Sequence, residues 1–262
     1  MNVVSRLVAR TSLVALIVLV LAVSGRVPPM AASSAMAQQG QIYATSAEEA
    51  LLIDADTGTV LFAKNENKPF PPASLAKLMT MEVVFHALKR GQLKLTDKFH
   101  ISENAWRRGG ATSGGSTMFA ELDSEVPLED LIRGVVVQSA NDACIAIAES
   151  MAGSEIAFAG LMNQRARELG LTDSHFTNST GLPDPLQHVT TLDLARLATH
   201  MIREYPQYFA YYSETEFTWN GIRQSNRNPL LKMGIGADGM KTGYTEESGY
   251  AIVGTVRRNN QR

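Results

Sequence analysis

A single cysteine, Cys144, is all that the 262 residues hold, so no disulfide can form within the chain and its order must come from packing. That cysteine lies in Ala143-Cys144-Ile145-Ala146-Ile147-Ala148, an apolar run that predicts a buried small hydrophobe rather than a reactive thiol. Excess positive charge is also missing. The formal net charge is −2, and beyond residue 37 there are 21 basic residues against 26 acidic ones, a net −5. This balance argues against a nucleic-acid partner. Histidine is scarce: His86, His100, His175, His188 and His200 make no His-x-x-His or His-x-His pair, so a metal-dependent hydrolase finds no support. There is no Gly-x-Ser-x-Gly elbow, no glycine-rich phosphate loop, no internal repeat and no low-complexity segment. No cofactor is expected.

The first residues form an address. Arg6 and Arg10 give a basic start, Thr11 to Val23 an apolar run, and Ala35-Met36-Ala37 a small-x-small site for cleavage before Gln38. A run of thirteen residues is too short to span a bilayer comfortably. Residues 1–37 are therefore expected to be a signal peptide, with an uncleaved N-terminal anchor as the alternative, and residues 38–262 one large domain or two interleaved lobes, long enough for a substantial core.

Along that remainder, residues 50–64 predict two short strands around Asp56-Thr57-Gly58, a hairpin. After Pro69, Pro71 and Pro72 the apolar spacing of Leu75, Leu78, Met79, Val83, Phe85 and Leu88 is helical, with a stop at Gly91. Helices are expected at Leu128 to Val137, Ala140 to Met151, Glu155 to Leu169 and Leu192 to Arg203, and Gly109-Gly110 and Gly114-Gly115 mark a flexible connection. Strand character returns in Glu216 to Trp219 and Tyr250 to Val256. The expected class is mixed α/β (α+β): an antiparallel sheet built from both ends of the chain, helices packed on it, and an inserted helical lobe.

Three short motifs carry candidate chemistry. Ser74 and Lys77, three apart at the start of the first helix, lie on one side of it, so a neutral lysine amine can take the proton of an attacking serine hydroxyl. Ser139-Ala140-Asn141 adds a second hydroxyl for proton relay and an amide for a substrate carbonyl. Ser102-Glu103-Asn104 has the same pattern, but Ser139 precedes a helix that can be buried and held rigid. Lys241-Thr242-Gly243, after the turn-like Gly239 and just before the strand Tyr250 to Val256, suits a carboxylate with an amine and a hydroxyl, and its glycine permits close approach; a plain surface turn is the alternative. The order is informative: Ser-x-x-Lys, Ser-x-Asn 65 residues on, and Lys-Thr-Gly 102 residues beyond that.

In this set the chain resembles the serine D-alanyl-D-alanine carboxypeptidases, the low-molecular-weight penicillin-binding proteins. The resemblance runs from about residue 41 to the end. It also includes Pro72-Ala73-Ser74-Leu75-Ala76-Lys77-Leu78-Met79-Thr80, Asn178-Ser179-Thr180-Gly181-Leu182-Pro183, Asn226-Arg227-Asn228 and Asp238-Gly239-Met240-Lys241-Thr242-Gly243-Tyr244. It implies a serine beta-lactamase/transpeptidase-like fold, Ser74 as the acylated nucleophile, Lys77 as its base and Ser139 as proton relay. Asn141 would contact the substrate amide, and Lys241 and Thr242 would hold the terminal carboxylate. Gly243 would let the substrate approach, the Ser74 and Tyr244 NH groups would form the oxyanion hole, and Arg227 would be a further carboxylate contact. The implied partners are peptidoglycan stem peptides ending in D-Ala-D-Ala, with beta-lactams as covalent inhibitors, on an exported protein of the periplasm or outer face of the cytoplasmic membrane.

Two rivals share parts of this pattern. A class A beta-lactamase needs a Glu-x-x-Leu-Asn loop, and none occurs between Asn141 and Lys241. A non-catalytic peptidoglycan-binding relative would have lost turnover, whereas every motif position here holds a competent residue. In the family the polar stretch Val256 to Arg262 is a turn followed by another strand and a helix, often a second domain and a membrane anchor. The closing elements are thus expected to be missing, with an apolar strand at Tyr250 to Val256 left wanting cover and membrane association possible only through elements absent here.

Overall fold

The computed structural model describes residues 44–262; the expected leader and its cleavage site lie outside them. Ala50–Ile53 (β1) and Val60–Lys64 (β2) pair antiparallel, Ala50 opposite Lys64. Their turn is closed by the Asp54 carboxylate, which accepts from the NH groups of Asp56 and Thr57. A 3-10 turn, Ala73–Ala76, then runs into Lys77–Lys89 (α1). Eleven of the thirteen α1 residues are buried, so this helix is a central rod, covered on nearly every side.

Lys98–His100 (β3) pairs with Glu125–Pro127 (β4), bracketing Glu103–Gly109 (α2) and the glycine-rich connection. Ser102 caps α2, accepting from Ala105 N and donating to Glu149, a structural duty that accounts for the second Ser-x-Asn pattern. Leu128–Gln138 (α3), Asn141–Ala152 (α4), Glu155–Glu168 (α5) and Thr191–Glu204 (α6) match the helices expected from periodicity to within two residues, and Pro206–Phe209 (α7) is a short addition. Glu216–Trp219 (β5) forms a hairpin with Ile222–Ser225 (β6), and Ala237–Thr245 (β7) pairs with Gly249–Val256 (β8), Tyr244 opposite Tyr250.

Packing converges on α1. Phe85 meets Tyr205 edge-on and stacks on Tyr208, while α3 and α4 supply Val135, Ile145 and Ile147 to the same core. A buried polar knot pins α1 to α5 and α6: the Glu82 carboxylate accepts from Arg165 at 2.9 Å and Tyr205 at 2.9 Å, and lies 3.3 Å from His200. Burial raises the Glu82 pKa, but bonds from His200, Arg165 and Tyr205 outweigh it and hold the group below its usual range.

The expectation of one sheet from both chain ends meets a difference. All ladders are antiparallel, but β1–β2 and β7–β8 are separate. A groove of about 740 Å³, lined by Leu51, Ile53, Leu194, Ala198, Ile252 and Val256, keeps them beyond the roughly 4.8 Å of a ladder. Arg262 ties the two: its carbonyl accepts from Ala55 N at 2.7 Å, and its guanidinium pairs with Asp238 of β7. Among the described residues, no single helix is long and apolar enough to cross a membrane.

Candidate active site

Ser74 lies in the 3-10 turn, and the α-helix proper begins only at Lys77, a difference from the uninterrupted helix expected. The prolines before it and the left-handed Ala73, φ +46°, set this tighter start. In a 3-10 turn residues three apart eclipse one another, which brings Lys77 Nζ to 3.0 Å from Ser74 Oγ. Lys77 is buried and also donates to the Thr180 carbonyl at 2.5 Å. Burial lowers its pKa to about 8, helped by the charge of Arg227 and opposed by Cys144, Asp142 and Glu155.

Ser139 ends α3 in the left-handed region, φ +63°, where non-glycine residues are uncommon. Its hydroxyl is buried without a hydrogen-bond partner, a combination that costs stability and clusters at functional sites. Asn141 opens α4, and its NH donates to the Ser116 carbonyl at 2.8 Å. Asp142 fixes the segment above it, accepting from Thr117 Oγ1 at 2.6 Å and from the NH groups of Met118 and Ala120 at 3.1 Å.

Lys241, Thr242 and Gly243 sit inside β7, a strand that the sequence reading did not anticipate. Glycine 239 and the short polar lead-in obscured a strand that is defined by its ladder with β8. A Cβ on Gly243 would stand 3.2 Å from both Pro72 O and Ser74 N, so the bare backbone allows β7 to press against the nucleophile's turn. Lys241 is buried and donates to the Thr242 carbonyl at 2.8 Å. Burial, and then the charge of Lys77, push its pKa well down.

A cavity of about 390 Å³ opens over this arrangement, lined by Ser74, Asn141, Thr180, Gly181, Arg227 and Tyr244 among others. Ser139, Lys77 and Lys241 lie beneath its floor, and Thr242 is half-buried beside Lys241. Arg227 is exposed, with its NH on the Val137 carbonyl. Among the described residues, no group of three histidine, cysteine or acidic side chains is placed to hold a metal ion. Cys144 is buried with its thiol pKa pushed up to about 12, as expected of an inert packing residue.

Sequence reasoning marked Asn178 to Pro183 only as part of the resemblance and gave no role to this loop, which completes the site. Asn178 Oδ1 accepts from Thr180 N, Thr180 Oγ1 and Gly181 N, winding Asn178 to Leu182 around one side chain. That winding aims the Thr180 carbonyl at Lys77. The only signal was the run Asn-Ser-Thr-Gly-Leu-Pro itself, since a carbonyl has no residue type.

The family model for D-alanyl-D-alanine carboxypeptidases, Peptidase S11, matches residues 33–262. D-alanyl-D-alanine carboxypeptidase DacA of Escherichia coli K12 is 42% identical over 218 residues, covering 82% of this chain and 54% of the relative. The chain thus spans about half the length of the curated relatives it matches. Penicillin binding protein 5 from Haemophilus influenzae superposes with a TM-score of 0.80 at 40% identity, over 84% of this chain and 63% of that one. Penicillin-Binding Protein D2 from Listeria monocytogenes, in its ampicillin bound form, gives 0.70 at 28% identity, over 84% and 87%. With motifs, pocket and fold in agreement, this chain belongs to the D-alanyl-D-alanine carboxypeptidase family, Peptidase S11, on a penicillin-binding-protein fold.

Proposed function

We propose that the chain is a serine D,D-carboxypeptidase that removes the terminal D-alanine from peptidoglycan stem peptides and is acylated by beta-lactams. The observation that carries this is the buried Lys77 amine 3.0 Å from Ser74 Oγ at the floor of an open pocket. Ser74 attacks the carbonyl carbon of the penultimate D-alanine while its proton passes to neutral Lys77. The NH groups of Ser74 and Tyr244 take the developing oxyanion, a role supported by the close seating of Gly243 on Ser74 N. Collapse breaks the C–N bond, and the leaving amine is protonated from Lys77 through Ser139. Water then hydrolyses the Ser74 ester by the reverse proton path. Asn141 holds the substrate amide, and Lys241, Thr242 and Arg227 hold its carboxylate. An anion there opposes the fall that burial and the charge of Lys77 impose on the Lys241 pKa. The chain is exported through residues 1–37 to the periplasm or outer membrane face.

Intact-protein mass spectrometry tests this directly. Incubation with penicillin should add one acyl group to Ser74, a diacyl tripeptide ending in D-Ala-D-Ala should release D-alanine, and the spectrum also shows whether the mature chain starts at Gln38. Absence of both adduct and release would defeat the proposal.

Two further outcomes follow from the electrostatics. Lys77 must be neutral to act as base, and its pKa of about 8 is reached from above as pH falls. Acylation should therefore rise with pH, level off above about 8, and be about a hundredfold slower at pH 6 than on the plateau. A flat profile from pH 6 to 9 would remove Lys77 from this role. Neutralising Lys241 or Arg227 should slow cleavage of peptides with a free C-terminus by about 10- to 150-fold more than amidated ones, the equivalent of one lost charged hydrogen bond of about 1.5–3 kcal/mol. Equal losses on the two peptides would mean that neither residue reads the carboxylate.

A further inference from the structure

Glu155, the first residue of α5, joins two segments on either side of the pocket. One carboxylate oxygen accepts from Ser179 Oγ at 2.8 Å and the other from Arg108 of α2 at 3.0 Å. The Glu155 side chain is 9% exposed and Ser179 fully buried, so the Glu155–Ser179 bond is shielded from solvent, while Arg108, 56% exposed, reaches it from the surface side. The segment that Glu155 holds grips α1 twice: Thr80 Oγ1 donates to the Ser179 carbonyl at 2.7 Å, and Lys77 Nζ to the next carbonyl, that of Thr180. A continuous path of short contacts thus runs from Arg108 through Glu155 and Ser179 to the lysine amine. Nothing in the catalytic scheme above uses Glu155.

We propose that Glu155, clamped by Arg108, is a positioning residue that sets the Ser179–Thr180 segment so that the Thr180 carbonyl aims the Lys77 amine at Ser74 Oγ. The inference rests on the reading of Lys77 as the base for Ser74. Its charge acts alongside its geometry. The charged and titratable groups facing Lys77 are Cys144 and Asp142 from α4, Glu155 from α5, Arg227, and Lys241 from β7. Of these, Cys144, Asp142 and then Glu155 oppose the fall that burial imposes on the lysine. Without that carboxylate, Lys77 loses its proton at still lower pH.

The test uses the full chain with Glu155→Gln, Ser179→Ala and, as a control at the far end of the same helix, Glu168→Gln. Two quantities are read: the rate of acylation by a fluorescent penicillin from pH 5 to 10, and the titration of Lys77 by NMR of protein carrying carbon-13 at lysine Cε, assigned with Lys77→Met. For Glu155→Gln the Lys77 midpoint should drop by about half to one pH unit, as expected for one charge acting through an effective dielectric of about 20 or more. Its acylation plateau should fall about tenfold or more through misplacement of the amine. Ser179→Ala should lower the plateau comparably while its midpoint stays near wild type, and Glu168→Gln should change neither. An undiminished plateau in Glu155→Gln overturns the positioning role, as does a mere loss of thermal stability, and an unmoved midpoint overturns the part given to its charge. Should the unmodified protein fail to label at all, the reading of Lys77 as base falls by itself. The NMR titration would then decide whether Glu155 governs that amine.

Discussion

Ser74→Ala should leave a folded protein that gains no mass from penicillin and releases no D-alanine. Its hydroxyl is the only one at the pocket floor that receives a lysine amine: Ser139 Oγ is buried and unpartnered, and no alternative carries a base at 3.0 Å. Removing a nucleophile that acts in concert with its base costs on the order of 10⁴- to 10⁶-fold in turnover. The stability effect should be small by comparison. The lost Ser74 contact is worth about 1 kcal/mol, while Lys77 keeps its bond to the Thr180 carbonyl. The measurement is therefore paired, with adduct mass and substrate release read beside the melting temperature. A fully labelled Ser74→Ala protein would place the acylated residue elsewhere and end the proposed mechanism.

Gly181→Ala should come close to the same loss by a different route. Gly181 adopts φ +80°, which already disfavours any side chain. A Cβ there would also stand 1.8 Å from the Ala73 carbonyl oxygen, 2.5 Å from its carbon and 3.2 Å from Ser74 N. Both neighbours are backbone, so no side chain can rotate away. Either the Asn178–Leu182 loop lifts off, taking the Thr180 carbonyl from Lys77, or the turn bearing Ser74 moves. A misplacement of about 1 Å at reacting groups costs about a hundredfold, and acylation should fall by at least that much. Gly153→Ala separates site geometry from backbone strain. That glycine caps α4 with φ +79° and nothing within 4 Å of a Cβ, so it should cost about 1 kcal/mol of stability and leave acylation intact. Equal acylation losses in the two variants would show that strain alone, and not the contact with Ser74, governs the effect.

The sequence by itself determined a good deal here. The helices were legible because each is long and periodic: α3 and α4 end at Ser139 and Gly153 in left-handed caps, and α5 and α6 start at Ser154 and Thr190, whose hydroxyls accept from NH groups three residues on. The pair Ser74 and Lys77 was legible because three residues of local chain suffice to bring hydroxyl and amine together. The family followed from the order and spacing of short motifs, which no single motif conveys.

What only the tertiary structure decided are the contacts between residues far apart in the chain. The strand holding Lys241 was not anticipated, since its extended form comes from pairing with β8 and from a glycine seated on Pro72 and Ser74, more than 160 residues earlier. The Thr180 carbonyl meets Lys77 across 103 residues, and a main-chain oxygen leaves no mark in a sequence. Glu155 looked like an ordinary first-turn acid of α5, and only folding set it between Arg108 and Ser179. Burial is likewise a property of the whole molecule. Lysine is usually exposed and charged, and it is the closing of α4, β7 and the 178–182 loop over Lys77 that lowers its pKa to about 8, where a lysine can serve as a base.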